Sequence, residues 1–197
     1  MEILFATGNE DKLREVRMIL RESGITVRSM KEANIRADIQ ENGKTFEENA
    51  LIKARTVAAA SGMPAMADDS GLEVDCLDKA PGVYSARFLG EDTSYDIKNT
   101  WILNRLKGVP DPERTARFVC AIACVFPDGK ELICRETMEG RIGYRIEGEN
   151  GFGYDPIFYL PEFGCTSAQL TPQQKNEISH RGKALRKMRQ MLEENRA

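Results

Sequence analysis

The run ILFATGNEDK at residues 3–12 constrains the fold more than any other stretch. Residues 3–6 are apolar enough for a short buried strand, and a tight polar turn, TGNED, follows at once. Leu13, Val16, Ile19 and Leu20 then share one face, which predicts a helix from about Asp11 to Ser23, stopped by Gly24. The alternation repeats. ITVRS at 25–29 reads as a strand, and Thr45 with Glu48 three residues on is a capping box that opens a second helix, closed by Gly62. On that helix Asn49 and Lys53 are i, i+4 neighbours, away from the face of Phe46, Ala50, Ala54 and Val57. Pro64 leads into a strand that delivers Asp68 and Asp69 and is expected to turn on Ser70-Gly71, after which GLEVDCL (71–77) alternates as a half-buried strand with Leu72, Val74 and Cys76 inward.

A third helix is expected from about Thr93 to Lys107, and VPDPER (109–114) is a linker too short to separate independent domains. Residues 116–126 and 131–140 flank an Asp-Gly turn and read as a hairpin. Thr171-Pro172 opens a C-terminal helix whose apolar face is Ala184, Leu185, Met188, Met191 and Leu192. Early strand–helix alternation with a late hairpin predicts a mixed-sheet α/β protein, a single domain over 1–197.

With 197 residues and 41% hydrophobic content the chain is long enough to bury a core. A net charge of −3 carries no nucleic-acid footprint, so polymeric nucleic acid is not an expected partner. No apolar run reaches the length of a membrane span, and the N-terminal residues lack a basic segment followed by a long apolar one. Neither a membrane nor export is expected. The five cysteines include no C-x-x-C pair and read as buried thiols in a reducing cytoplasm. A single histidine, His180, argues against a zinc site of the finger type.

Four stretches bear on chemistry. Asp68-Asp69-Ser70-Gly71 is either a solvated turn or a carboxylate site for a hard cation such as Mg²⁺, which takes one or two carboxylates from a protein. The turn after the first strand aims backbone N–H groups and a positive helix end at whatever lies above it, with Thr7, Asn9 and Lys12 as further donors; in the plainer reading Asn9 only caps the helix. GENGFGYDP (148–156) sets Phe152 between glycines, as a stacking face for a flat base or as a core residue in a hairpin turn. Lys175, His180 and Arg181 are either donors to a phosphate or carbonyl oxygen or a basic helix face. Together these are the parts of an enzyme acting on a nucleoside triphosphate.

ATGNEDK, TFEENALIKA, ADDSGLEVD, APGVYSARF, GFGYDPIF and ISHRGKAL, in this order along nearly the whole chain, resemble the motifs of the inosine triphosphate pyrophosphatase family. The resemblance implies hydrolysis of ITP, dITP and XTP to the monophosphate and pyrophosphate, an Mg²⁺ requirement, a homodimer, and two lobes flanking a central cleft. Residue by residue, it implies that Thr7, Gly8, Asn9, Glu10, Asp11 and Lys12 hold the triphosphate, with Lys53 and Arg87 adding positive charge. It makes Asp69 the catalytic carboxylate and metal ligand and brings Ser70 to the substrate. Phe152, Gly153, Tyr154 and Asp155 would form the base and sugar pocket, and Lys175, His180 and Arg181 would recognise the purine.

One position departs from the pattern. Where relatives often carry a second metal-binding glutamate, this chain has Gln40, followed by Glu41. Either Glu41 takes the role or the metal site has one carboxylate fewer. The rival readings are a Maf-like pyrophosphatase for other nucleotides and a nucleotide-binding regulator without catalysis.

Overall fold

Parallel pairing on both sides of the first strand sets the architecture. In the computed structural model, which describes residues 1–21 and 23–195, β1 (Glu2–Phe5) pairs in parallel with β2 (Thr26–Ser29) and with β3 (Ala65–Val74). Helices α1 (Glu10–Leu20) and α2 (Phe46–Ser61) make these crossovers, as parallel neighbours require. After α3 (Tyr95–Arg105) come β4 (Thr115–Val125) and β5 (Glu131–Ile142), joined by a tight turn in which Phe126 N–H donates to Lys130 O. The short β6 (Phe158–Leu160) and β7 (Cys165–Thr166) add antiparallel pairs, giving one mixed sheet in the order β2-β1-β3-β4-β5-β6-β7. The chain ends in α4 (Pro172–Ile178) and α5 (His180–Glu194). No helix among the described residues is long and apolar enough to cross a membrane.

The residues divide into two compact units, each with its own core. The first comprises Met1–Ser70, Cys120–Glu136 and the segment from His180; the second comprises Gly71–Val119 and Thr137–Ser179. In the first, Leu13, Val16 and Leu20 of α1 and Leu185, Met188 and Leu192 of α5 pack with Ile3, Phe5 and Ile122. In the second, Leu72, Ile102, Phe118, Met138, Tyr154 and Phe158 form the core. VPDPER is no boundary, because both of its flanks lie in the second unit. The chain passes between units inside β3, β4 and β5 and at the junction of α4 and α5.

Five details differ from the sequence expectation. Asp68–Gly71 is not a turn; β3 runs through it for ten residues. The strand then stops at Val74, and 75–77 form a 3₁₀ turn, which leaves Cys76 exposed rather than buried; Cys165 is half-buried, and only Cys120, Cys124 and Cys134 lie in the core. The C-terminal helix is two helices, because Ser179 is extended (φ −66°, ψ 153°). The expected 11–23 helix stops at Leu20, and residue 22 of that span lies outside the described residues. Thr45 caps α2 by accepting from Glu48 N–H at 3.1 Å, but Glu48 reaches past it to Lys44 N–H at 2.6 Å.

Candidate active site

Because β3 is a strand, its successive side chains point to opposite faces. Asp68 and Asp69 therefore enter different surroundings. Asp68 is 2% exposed. It lies 3.1 Å from Lys12 Nζ and 3.2 Å from Arg181 Nε, and accepts from Ser70 Oγ, two residues on along the same face, at 2.8 Å. Burial by itself would raise its pKa. The charges of Lys12, Arg181 and Lys53, with the Ser70 hydroxyl, outweigh burial and hold it well below the carboxylate range.

On the other face Asp69 meets α2. Lys53 Nζ donates to its Oδ1 at 2.8 Å and Asn49 Nδ2 to its Oδ2 at 3.3 Å. The predicted i, i+4 spacing delivers both donors to one carboxylate. Gly43 N–H donates to Asn49 Oδ1 at 2.8 Å, which turns the amide so that its NH₂ faces Asp69. Burial pushes the Asp69 pKa up further than Lys53 and Lys12 lower it, and the nearby Glu41 charge adds to the rise. Burial would lower the Lys53 pKa, but Asp69, Asp68 and Glu41 together raise it.

Lys53 Nζ also donates to Glu41 Oε2 at 2.9 Å. One ammonium thus marks a position that two carboxylates, Asp69 and Glu41, both reach. Gln40 turns away and donates to Asp38 at 3.0 Å. Among the described residues no three His, Cys, Asp or Glu side chains gather as a metal cage. Two carboxylates are nonetheless a sufficient protein share for Mg²⁺ when substrate phosphates complete the shell.

The turn after β1 caps α1. Asn9 Oδ1 accepts from Asp11 and Lys12 N–H at 3.0 and 3.1 Å, and Thr7 Oγ1 accepts from Asn9 N–H at 3.1 Å. Asp11 N–H is therefore spent inside the chain, and its exposed carboxylate pairs with Arg14 at 2.6 Å. Acidic Glu10 and Asp11 complement the helix dipole, and their side chains repel rather than hold phosphate.

Arg181 lies beside Asp68. It is 2% exposed, and its guanidinium donates to Asp68, to Glu15 of α1 and, at 3.4 Å, to Ser70. Burial would lower its pKa, but Asp68 and Glu15 raise it. Arg181 is a clamp on Asp68, and Ser70 belongs to the same cluster. His180 is buried beside it in sequence at the start of α5.

In the second unit Asp155 organises the glycine loop. It is buried and accepts from Lys175 Nζ at 2.6 Å, Ser167 Oγ at 2.8 Å and Phe152 N–H at 2.9 Å. Lys175 Nζ lies 4.9 Å from the centre of the half-buried Phe152 ring. A Cβ on Gly151 would sit 2.2 Å from Asp155 Oδ2, so this position, at φ +73°, accepts only glycine. Tyr154 is a core residue whose hydroxyl donates to Ser85 O at 2.8 Å and so pins the loop. Gly153 shows its carbonyl to Asn99, and Arg87 stacks on exposed Tyr84 at 4.9 Å.

Sequence reasoning gave Asn49 no role at the site and missed Glu15 and Ser167. Asn49 was visible as Lys53's helical neighbour, and Glu15 stands three residues after Lys12 on α1; Ser167 had no local signal.

The Ham1 family model matches residues 3–191 of the chain. The dITP/XTP pyrophosphatase of Exiguobacterium sibiricum is 48% identical over 192 residues, 98% of this chain and 97% of that protein. Its counterpart in Vibrio parahaemolyticus is also 48% identical, over 95% of this chain and 94% of that protein. Among solved structures, a HAM1 protein from Coxiella burnetii matches with a TM-score of 0.90 at 43% identity, covering 98% of this chain and 99% of that one. The Staphylococcus aureus Ham1 protein matches at 0.88 and 40%, covering 99% and 100%. The same mixed α/β architecture, nearly end to end and at this identity, makes the chain a member of the Ham1 family.

Proposed function

We propose that the chain hydrolyses non-standard purine nucleoside triphosphates, ITP, dITP and XTP, to the monophosphate and pyrophosphate, in the nucleotide pool of the cytoplasm. The relatives named dITP/XTP pyrophosphatases support the reading. The observation that carries it is the meeting of Asp69 and Glu41 on one cation, in the unit that also holds the turn after β1.

Water attacks the α-phosphorus, the bond to the β-phosphate's bridging oxygen breaks, and pyrophosphate leaves. Asp69 and Glu41 would hold Mg²⁺, which when bound neutralises triphosphate charge and polarises a phosphoryl oxygen. The N–H groups of Gly8 and Glu10 and the side chains of Thr7 and Asn9 are donors to the phosphates at the helix N-terminus. Lys12 and Lys53 place positive charge where pyrophosphate gains negative charge. Of the two adjacent aspartates, Asp69 is the one suited to take the water's proton, because burial raises its pKa whereas Lys12, Arg181, Lys53 and Ser70 hold Asp68 well below the carboxylate range.

Following the resemblance, Phe152 and Lys175 contact the base, Asp155 holds both, and Arg87 adds charge. Donors at C6, for which the resemblance names Arg181 and the backbone around His180, would match the oxygen of hypoxanthine and xanthine and oppose adenine's amino group, and such sites reject the wrong partner by about 10⁴-fold. The active form is a homodimer, which light scattering would return as twice the chain's mass.

The test is pyrophosphate release from ITP, dITP, XTP, ATP, GTP, CTP and UTP with Mg²⁺. Preference for the first three is the expected result. Preference for a pyrimidine nucleotide would support the Maf-like reading, and nucleotide binding without release would support the regulator.

A further inference from the structure

Tyr95, Lys98 and Asn99 fall at i, i+3 and i+4 and so share one face of α3. Two of them are buried polar groups that the proposed chemistry does not use. Lys98 is 1% exposed, and its Nζ donates to Ala86 O at 2.7 Å and lies 4.8 Å from the centre of the Tyr95 ring. Among the described residues no carboxylate is within ion-pair distance of it. Asn99 is also 1% exposed; its Nδ2 donates to Gly153 O at 3.0 Å, and its Oδ1 meets no hydrogen-bond partner among the described residues. Tyr95 packs edge-on against Tyr154, with ring centres 5.2 Å apart.

Both groups are costly to the fold. A buried ammonium without a counter-charge and a buried amide with one end unmatched each lose hydration that is only partly returned. An apolar side chain of equal size would serve the core better. What the two groups do provide is a fixed position for two backbone carbonyls, and both carbonyls lie beside proposed substrate contacts. Ala86 precedes Arg87, and Gly153 sits between Phe152 and Asp155.

We infer that Lys98 and Asn99 are positioning residues: Asn99 holds the 151–155 loop in its base-binding form through the Gly153 carbonyl, and Lys98 holds Arg87 through the Ala86 carbonyl. The inference rests on the proposed role of those two segments. It separates function from stability, because residues kept for geometry at a cost to the fold stabilise the protein when replaced by apolar ones.

The experiment compares Asn99→Leu and Lys98→Met with wild type in thermal midpoint and in kcat and KM for ITP and ATP. The midpoints stay level or rise and kcat stays near wild type. KM for ITP rises about fivefold to tenfold, the worth of one lost hydrogen bond. Asn99→Leu narrows the ITP-to-ATP preference, whereas Lys98→Met weakens both nucleotides alike and Lys98→Arg restores KM. Hydrogen exchange of the 151–155 amides, measured without nucleotide, speeds up in Asn99→Leu. Asn99→Asp, which keeps the shape but sets an acceptor against the Gly153 carbonyl, gives the same rise in KM should the leucine variant fail to fold. A lowered midpoint with unchanged KM and exchange would make both residues packing elements and overturn the inference. A wild-type enzyme without ITP preference would instead sink the proposed function, and the exchange result would still judge the role of Asn99.

Discussion

Neighbouring aspartates with one backbone and two environments give the sharpest test at the scale of single residues. Asp68 neutralises Lys12 and Arg181 in a buried cluster, so Asp68→Asn leaves cations without their counter-charge and should cost about 3–5 kcal/mol of stability. Asp69→Asn keeps shape, and Lys53 retains Glu41, so stability changes less. Turnover of ITP should fall by about a hundredfold or more through lost charge at the metal. Denaturation midpoints and rates on the two purified variants check the pair; reversed effects would exchange the roles assigned here. The Gln40–Glu41 question has a direct readout as well. Glu41→Gln should raise the Mg²⁺ concentration for half-maximal rate, and Gln40→Ala should leave it unchanged because Gln40 turns to Asp38. A magnesium titration in which Glu41→Gln matches wild type would remove Glu41 from the site.

At the scale of elements, β3 carries its function by not turning. Ser70 and Gly71 are turn residues by composition, yet the strand continues because Leu72 and Val74 lead into the second core. Just past its end, Asp75 is held by Arg117 of β4, with Nη1 at 2.9 Å and Nη2 at 3.0 Å, and by Thr115 Oγ1 at 2.7 Å. The hydrogen bonds from Arg117 outweigh burial and lower the Asp75 pKa to about 2 from 3.8. A depressed carboxylate contributes stability above its unfolded pKa, and that contribution fades as pH falls through the folded one. Asp75→Asn should therefore be less stable than wild type at neutral pH. The gap should close as pH falls from about 4 to about 2, which parallel urea titrations would show. A gap that persists unchanged at the acid end would mean that the Asp75 charge does not stabilise the β3–β4 pairing.

At the scale of the whole molecule, two cores share strands β3, β4 and β5, and each core serves a different cluster of polar residues. Leu185 of α5 is fully buried in the first core, four residues beyond Arg181. Leu185→Ala should cost about 2–5 kcal/mol by leaving a cavity beneath the Asp68 clamp, a loss that calorimetry would measure. Much of this was legible in the chain itself. The β1 turn and the α2 cap were readable because turns and caps are local, set by residues three or four apart. The pairing of Asn49 with Lys53 was readable for the same reason, since helical spacing places both on one face. The path of β3 through Asp68–Gly71 was not, because local turn preference is weaker than burial on both sides of a sheet. Nor was the break at Ser179, which the helical periodicity of the last segment passes over. The sequence by itself determined a mixed α/β chain, its family resemblance and a short list of polar residues. Only the tertiary structure decided which of them meet: that Asp69 and Glu41 converge on Lys53, and that Arg181 serves Asp68. Those contacts join residues 12 to 113 positions apart, and such pairings are set by how the core packs rather than by any local pattern.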